Sequence, residues 1–289
     1  MLILEDFNQK YVLEVIVRDS SSNNIIHTQP LSEYEQHPTI DLQATRWGNG
    51  LLNILMSEGQ ITGGLQLKRL FTNNPKNDAT RLLGSIAEVL VVDLCNTDYN
   101  INRTLGKIAR YGTRISNSLD NYVAVATGSL KTKSLYNQHY NPNDTQRDII
   151  WVNKEDNESQ LLCVRGSAQF GKPAGLQIKV SNDYRNVLSN IDQYHYPVLY
   201  FDLNNDWSSL SREIKYQGLN VILYHAEDLH DLMKEELRGY FQILVSLFNN
   251  DIDLKYIIDR AKYENDSNLL KGLKGAENRI DKLILPTDY

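Results

Sequence analysis

The run Gly175-Leu176-Gln177-Ile178-Lys179-Val180 constrains this chain more tightly than any other stretch. It is short, apolar, partly β-branched and bounded by polar turn residues, which predicts a buried strand. Side chains alternate between the two faces of a strand, so Gln177 and Lys179 share one face and Leu176, Ile178 and Val180 the other. A strand of this kind that sets an ammonium beside an amide gives that face a polar task. Upstream, Asp148-Ile149-Ile150-Trp151-Val152 predicts a second buried strand, and an acid begins it.

The chain of 289 residues is long enough for one large domain or two small ones. Two cysteines, Cys95 and Cys163, lie in or beside apolar runs and read as small core residues of a protein in a reducing cytoplasm. No apolar run reaches the roughly 18 residues of a membrane span, and Met1 to Lys10 lacks the basic start of a signal peptide. A cytoplasmic protein without a membrane partner is expected. The net charge of −6 argues against a general nucleic-acid coat protein. Yet residues 99–154 carry 8 basic against 3 acidic side chains, and this basic segment leads directly into the two strands. A local basic face suits a phosphate-bearing partner.

Taken in order, residues 1–75 predict an accessory N-terminal lobe. It has a strand at 11–17, a turn at 19–24, a return at 25–28 and a helix from Arg46 to Ser57 with Trp47, Leu51, Leu52, Ile54 and Leu55 inward. Asp78 is expected to cap a helix from Ala79 to Leu94, with Leu82, Leu83, Ile86, Val89 and Leu90 at helical spacing. Glu88 lies in the middle of this helix, either as an acid on the solvent edge or as one directed into a site. Arg103, Lys107, Arg110 and Arg114 follow at offsets of four, seven and eleven, a single stripe if the segment is helical, with no acid placed to form intrahelical pairs. Strands are expected at 122–126, 148–152, 161–164, 176–180, 197–201 and 219–224, a loop over Gly166–Gly175, and helices at 183–192 and 207–216. This order gives an α/β (α+β) core over residues 76–226, a mixed central sheet flanked by helices. From 227 onward the amphipathic pattern predicts a helical C-terminal region, with segments at about 229–248, 254–263 and 267–285.

These residues suit a hard divalent cation, which takes oxygen ligands and keeps waters and a phosphate oxygen. Asp148 supplies the principal carboxylate, the Ile178 main-chain carbonyl a second ligand and Glu88 a third, through water. Gln177 serves as a neutral ligand or holds a water. Lys179 stabilises an attacking hydroxide or the developing phosphorane charge. The bland readings stand beside these: Asp148 as a strand cap, and Gln177 with Lys179 as a structural pair. The sequence carries no P-loop, GxSxG elbow, CxxC zinc pair or HExxH helix.

Glu88 on a helix, then Asp148, then Gln177-Ile178-Lys179, in helix–strands–helix–strand order, resembles the PD-(D/E)xK nuclease superfamily over about residues 79–225. The resemblance implies a restriction-endonuclease-like fold and a catalytic set of Glu88, Asp148, Gln177 and Lys179. Mg2+ would be bound by Asp148, Glu88 and the Ile178 carbonyl, with Mn2+ able to substitute. It further implies an endonuclease that hydrolyses phosphodiester bonds of DNA in restriction or antiviral defence, as a homodimer or hetero-complex. A helicase, a methyltransferase or another defence protein is a candidate partner, and Arg103, Lys107, Arg110 and Arg114 are expected to contact nucleic acid. Two positions depart from the pattern: Arg147 replaces the proline, and Gln177 replaces the middle acid, which removes one negative charge. A catalytically inactive binding or assembly subunit on the same fold is the alternative reading.

Overall fold

The computed structural model describes residues 14–18, 25–30, 40–61, 67–68, 72, 74–155, 160–165, 171–229 and 231–261. The described residues are mixed helix and strand, an α+β protein, and divide into two compact units. One draws on the described residues up to Asn53 and from Gln242 onward; the other comprises Ile54–Ile61 and Lys68–Phe241. No described helix is long and apolar enough to cross a membrane.

In the first unit, strands β1 (Glu14–Arg18) and β2 (Ile25–Pro30) form an antiparallel pair. Helix α1 (Ile40–Ser57) begins six residues earlier than its periodicity predicts, and its N-terminal part belongs here. Gly48 admits a close neighbour: a Cβ there would stand 3.1 Å from Ile257 of helix α8 (Leu254–Ala261). Asp41 accepts a hydrogen bond from the Tyr256 hydroxyl and lies 3.0 Å from Arg260, which joins the two helices again. The segment expected to be helical at 267–285 lies outside the described residues.

The second unit contains helix α2 (Pro75–Thr97), helix α3 (Tyr99–Ala109), strand β3 (Tyr122–Ala126), the short helix α4 (Leu130–Leu135) and strand β4 (Ile149–Asn153). Then come strand β5 (Gln177–Ser181), helix α5 (Tyr184–Leu188), strand β6 (Val198–Asp202), helix α6 (Trp207–Tyr216) and strand β7 (Leu223–His225), and the part of helix α7 (Asp231–Phe248) up to Phe241. β3 and β4 pair antiparallel, β5, β6 and β7 parallel, and one antiparallel bridge, Ile149 with Leu176, joins the two sets. The expected strand at 161–164 reduces to single bridges from Leu161 to Val152 and from Cys163 to Pro173.

Asn74, not Asp78, caps α2. Asp78 sits inside the first turn, where its carboxylate accepts from the Thr72 amide and hydroxyl at 2.8–3.1 Å. Near the other end, the Asn96 side chain donates to the Ala124 carbonyl at 2.9 Å and accepts from the Ala124 amide at 3.0 Å. This completes both backbone groups of an edge-strand residue and pins α2 to β3. Deeper in the core, Asn102 of α3 accepts from the buried Trp151 indole at 2.7 Å and donates to the Leu119 and Tyr122 carbonyls, so a buried amide is fully used. Cys95 is buried as expected, whereas Cys163 is exposed because its strand is not formed.

Candidate active site

The site begins where β4 and β5 part. Both strands start at the Ile149–Leu176 bridge, and being antiparallel they run away from it in opposite directions. The Leu176 carbonyl accepts from the Asp148 amide at 2.8 Å and the Ile149 amide at 3.0 Å, and the Leu176 amide donates back to Ile149 at 2.9 Å. Beyond that point β5 has no partner strand on this side among the described residues. The next amide facing it, Ile178, donates to the Asp148 carboxylate Oδ2 at 2.7 Å. Gln177 and Lys179 turn their main-chain groups toward β6, so the Ile178 carbonyl faces the Asp148 side along with its N–H.

Glycine is required at the crossing. A Cβ on Gly175 would stand 2.9 Å from the Ile149 carbonyl oxygen and 2.7 Å from the Arg147 side chain. Arg147, where the family pattern has proline, forks onto Asp144 Oδ2 at 2.8 and 3.1 Å, and its guanidinium lies 5.6 Å from the Tyr196 ring centre. Thr127 holds the strand entry from the other side, its amide donating to the Asp148 carbonyl at 2.8 Å and its hydroxyl to the Arg147 carbonyl at 2.9 Å.

Gln177 is buried and donates Nε2 to Asp148 Oδ2 at 2.5 Å, and its buried Oε1 has no hydrogen-bond partner among the described residues. An orphaned buried acceptor is costly, and an amide oxygen is a suitable ligand for a hard cation. Among the described residues no three His, Cys, Asp or Glu side chains gather as a metal cluster. The donor set at hand is different: two carboxylates, one amide oxygen and one main-chain carbonyl, which fits Mg2+ or Mn2+ with waters completing the shell.

Glu88 comes from α2, which packs against β3 and β5, and it interacts electrostatically with both Asp148 and Lys179. Burial is the main cause that pushes the Glu88 carboxyl up to about 8; the Asp148 charge adds to it, the Lys179 ammonium opposes it, and Glu58 raises it further. Burial likewise lifts Asp148 to about 6, against the Ile178 hydrogen bond and Lys179, which lower it. At neutral pH the Glu88 carboxyl thus holds a proton beside the ionised Asp148, and a divalent cation would displace it.

Lys179 makes none of the ion pairs found among the described residues; its ammonium rests 4.6 Å from the Tyr194 ring centre. Sequence reasoning missed Tyr194, and it missed Glu58, which follows the last turn of α1. The Glu58 carboxylate accepts from the Ser129 hydroxyl at 2.6 Å and the Leu130 amide at 2.9 Å, so it closes the start of α4 beside Thr127. The signal for it is an acid directly before Gly59, whose positive φ of 60° ends the helix.

The four basic residues do not form one free stripe. α3 ends at Ala109 and Tyr111 reverses the chain at φ 56°, so Arg114 is off the helix and exposed. Arg103 is committed to Asp120 by two bonds of 2.7 and 2.5 Å, and Arg110 is buried. Lys107, half-buried, and Arg114 remain for an outside anion. The acid that breaks the pattern, Asp120, is distant along the chain and becomes adjacent only through the turn before β3.

No known protein family, curated protein or solved structure matches this chain.

Proposed function

We propose that the chain is a metal-dependent phosphodiesterase, an endonuclease of the PD-(D/E)xK type with a Gln-x-Lys site and a restriction-endonuclease-like core. The observation that carries this reading is the convergence of Asp148, Gln177 and the Ile178 backbone at the opening of β4 and β5, with Gln177 Oε1 left unpartnered. Asp148, Glu88, Gln177 Oε1 and the Ile178 carbonyl would hold the cation. When bound, Mg2+ or Mn2+ supplies Lewis acidity that neutralises a phosphate and makes a water acidic. Lys179 presents its N–H donors to the attacking water and to the charge developing on phosphorus. Tyr194 keeps that ammonium out of an ion pair, so its donors stay available. Glu88, with a carboxyl near neutrality, can take or release a proton at the water. DNA as substrate, Lys107 and Arg114 as phosphate contacts, and restriction or antiviral defence with a second protein belong to the same proposal.

The test incubates plasmid, linear DNA and RNA with Mg2+ or Mn2+, comparing wild type with Lys179→Ala and Asp148→Ala. Cleavage by wild type that both variants lose supports the proposal; equal cleavage, or none on any substrate, removes it.

One observation favours a second reading, a non-catalytic nucleic-acid-binding subunit. Asp148 Oδ2 receives two donors from the protein itself, as in a structural trio. Tight DNA binding that is indifferent to divalent cations would decide for it.

A further inference from the structure

A cleft of about 460 Å3 opens at the leading ends of the parallel strands β5, β6 and β7. Its lining includes Tyr111, Lys172, Asp192, Tyr194, His195 and Asn220. Its volume is that of a small-ligand pocket, roughly 300–1,000 Å3, which suits one nucleotide and excludes a paired duplex.

The lining is rich in aromatic rings, with Lys172 among them and Lys179 behind Tyr194. Lys172 lies 4.4 Å from the ring centre of Tyr196, and Lys179 lies 4.6 Å from that of Tyr194. Neither lysine takes part in an ion pair among the described residues. An ammonium held over a ring face spends none of its hydrogen-bond donors, so both are free for phosphate oxygens. Half-exposed Tyr194 and Tyr111 and exposed His195 offer flat π surfaces, on which bases stack whatever their sequence. Asp192 and Asn220 add an acceptor and an amide that can reach a base edge.

The cleft wall is rigidly coupled to the proposed catalytic residues. Gln146, two positions before Asp148, donates to the Gln193 carbonyl at 3.2 Å and accepts from the His195 amide at 3.0 Å. The Tyr111 hydroxyl donates to the His195 carbonyl at 2.8 Å. Tyr194, between these anchors, carries Lys179 on its ring.

We infer that this cleft holds one unpaired nucleotide next to the scissile phosphate, its base stacked on Tyr194 or His195 and its phosphate on Lys172. The substrate class is therefore single-stranded, flapped or frayed nucleic acid, an inference that rests on the phosphodiesterase reading. A duplex must surrender a base to the cleft before it is cut at this site.

The experiment measures fluorescence anisotropy of a labelled deoxyoligonucleotide of roughly 12 nucleotides, and of the blunt duplex of the same sequence, with the full chain in EDTA. The variants are His195→Ala and Lys172→Ala, an exposed and a half-buried side chain; the His195 main-chain anchors survive its truncation. Each variant is expected to weaken single-strand binding roughly five- to tenfold while leaving duplex binding within about twofold, with thermal midpoints unchanged. Wild-type single-strand affinity in both variants, or equal losses on single strand and duplex, overturns the inference. Cleavage with Mg2+ separates the two readings. If wild type cuts nothing but the binding pattern holds, the cleft stands as a nucleotide site and the nuclease reading falls. If wild type cuts and neither variant alters the ratio of single-strand to duplex cleavage, the nuclease reading stands and the cleft assignment falls.

Discussion

The Asp148 carboxylate accepts the Ile178 amide at 2.7 Å, in the place where the Arg147 carbonyl would sit if the antiparallel pairing of Ile149 with Leu176 continued. One side chain thus ends a sheet ladder and begins a candidate metal site. The same oxygen accepts Gln177, so the neutral residue at the position of the family's middle acid is held through Asp148.

Replacing Asp148 by alanine leaves the Ile178 amide and the Gln177 amide without their acceptor in a buried setting. A loss of about 1–3 kcal/mol per unpaired group is expected, read as a lower thermal midpoint, together with loss of cleavage. Asp148→Asn, with its amide oxygen in the place of Oδ2, keeps the acceptor for both donors, so it should melt closer to wild type and still not cleave. An Asp148→Ala protein as stable as wild type would show that these bonds are dispensable.

Glu88 and Asp148 titrate at about 8 and about 6, above the ordinary carboxylate range. The folded, metal-free protein therefore binds more protons than the unfolded chain between that range and these values, and its stability falls as pH rises through the window. Glu88→Gln removes the larger part. Its metal-free thermal midpoint at about pH 8.5 should exceed that of wild type, by roughly 2–4 °C for each kcal/mol relieved, and the difference should vanish near pH 4. Mg2+ or Mn2+ should stabilise wild type increasingly from about pH 6 upward and Glu88→Gln far less. Differential scanning calorimetry across pH, with and without metal, checks both signs.

Gln177→Glu restores the acid that the family pattern has at this position. It also removes the donor that satisfies Asp148 and adds a third carboxyl beside two that already resist ionising. Metal-free stability should drop at neutral pH while cation affinity rises by about tenfold or more, measurable by calorimetric titration with Mn2+. Unchanged affinity would argue that the Gln177 side chain does not reach the cation.

Gly175→Ala places a methyl 2.9 Å from the Ile149 carbonyl, a main-chain atom that cannot move aside without shifting the crossing. Destabilisation of about 1–3 kcal/mol is expected, with cleavage falling further than stability because Asp148 follows directly from that crossing. Chemical denaturation and the cleavage rate of the folded fraction separate the two effects.

Local pattern made much of this site legible. The strand character of 148–152 and 176–180, the shared face of Gln177 and Lys179 and the helix carrying Glu88 all follow from periodicities of two and 3.6 residues, which any short window of sequence displays. The Asn74 cap was missed because Asp78 is also a good capping residue, and only the Thr72 bonds show that it is occupied elsewhere. The basic stripe failed for a similar reason. Its spacing was helical, but the helix stopped at Ala109 and a turn delivered Asp120 to Arg103.

By itself, then, the sequence determined which residues alternate, which repeat and where most strands and helices lie, because these depend on neighbours a few positions away. Only the tertiary structure decided that Glu58 reaches Ser129 across 71 positions, that Gln177 faces Asp148 across 29, and that Gln146 secures the wall around Tyr194. Contacts of that range depend on where the chain crosses itself. At the Asp148 crossing the decision turns on a glycine small enough to let β4 and β5 meet and a carboxylate able to replace the ladder where they part.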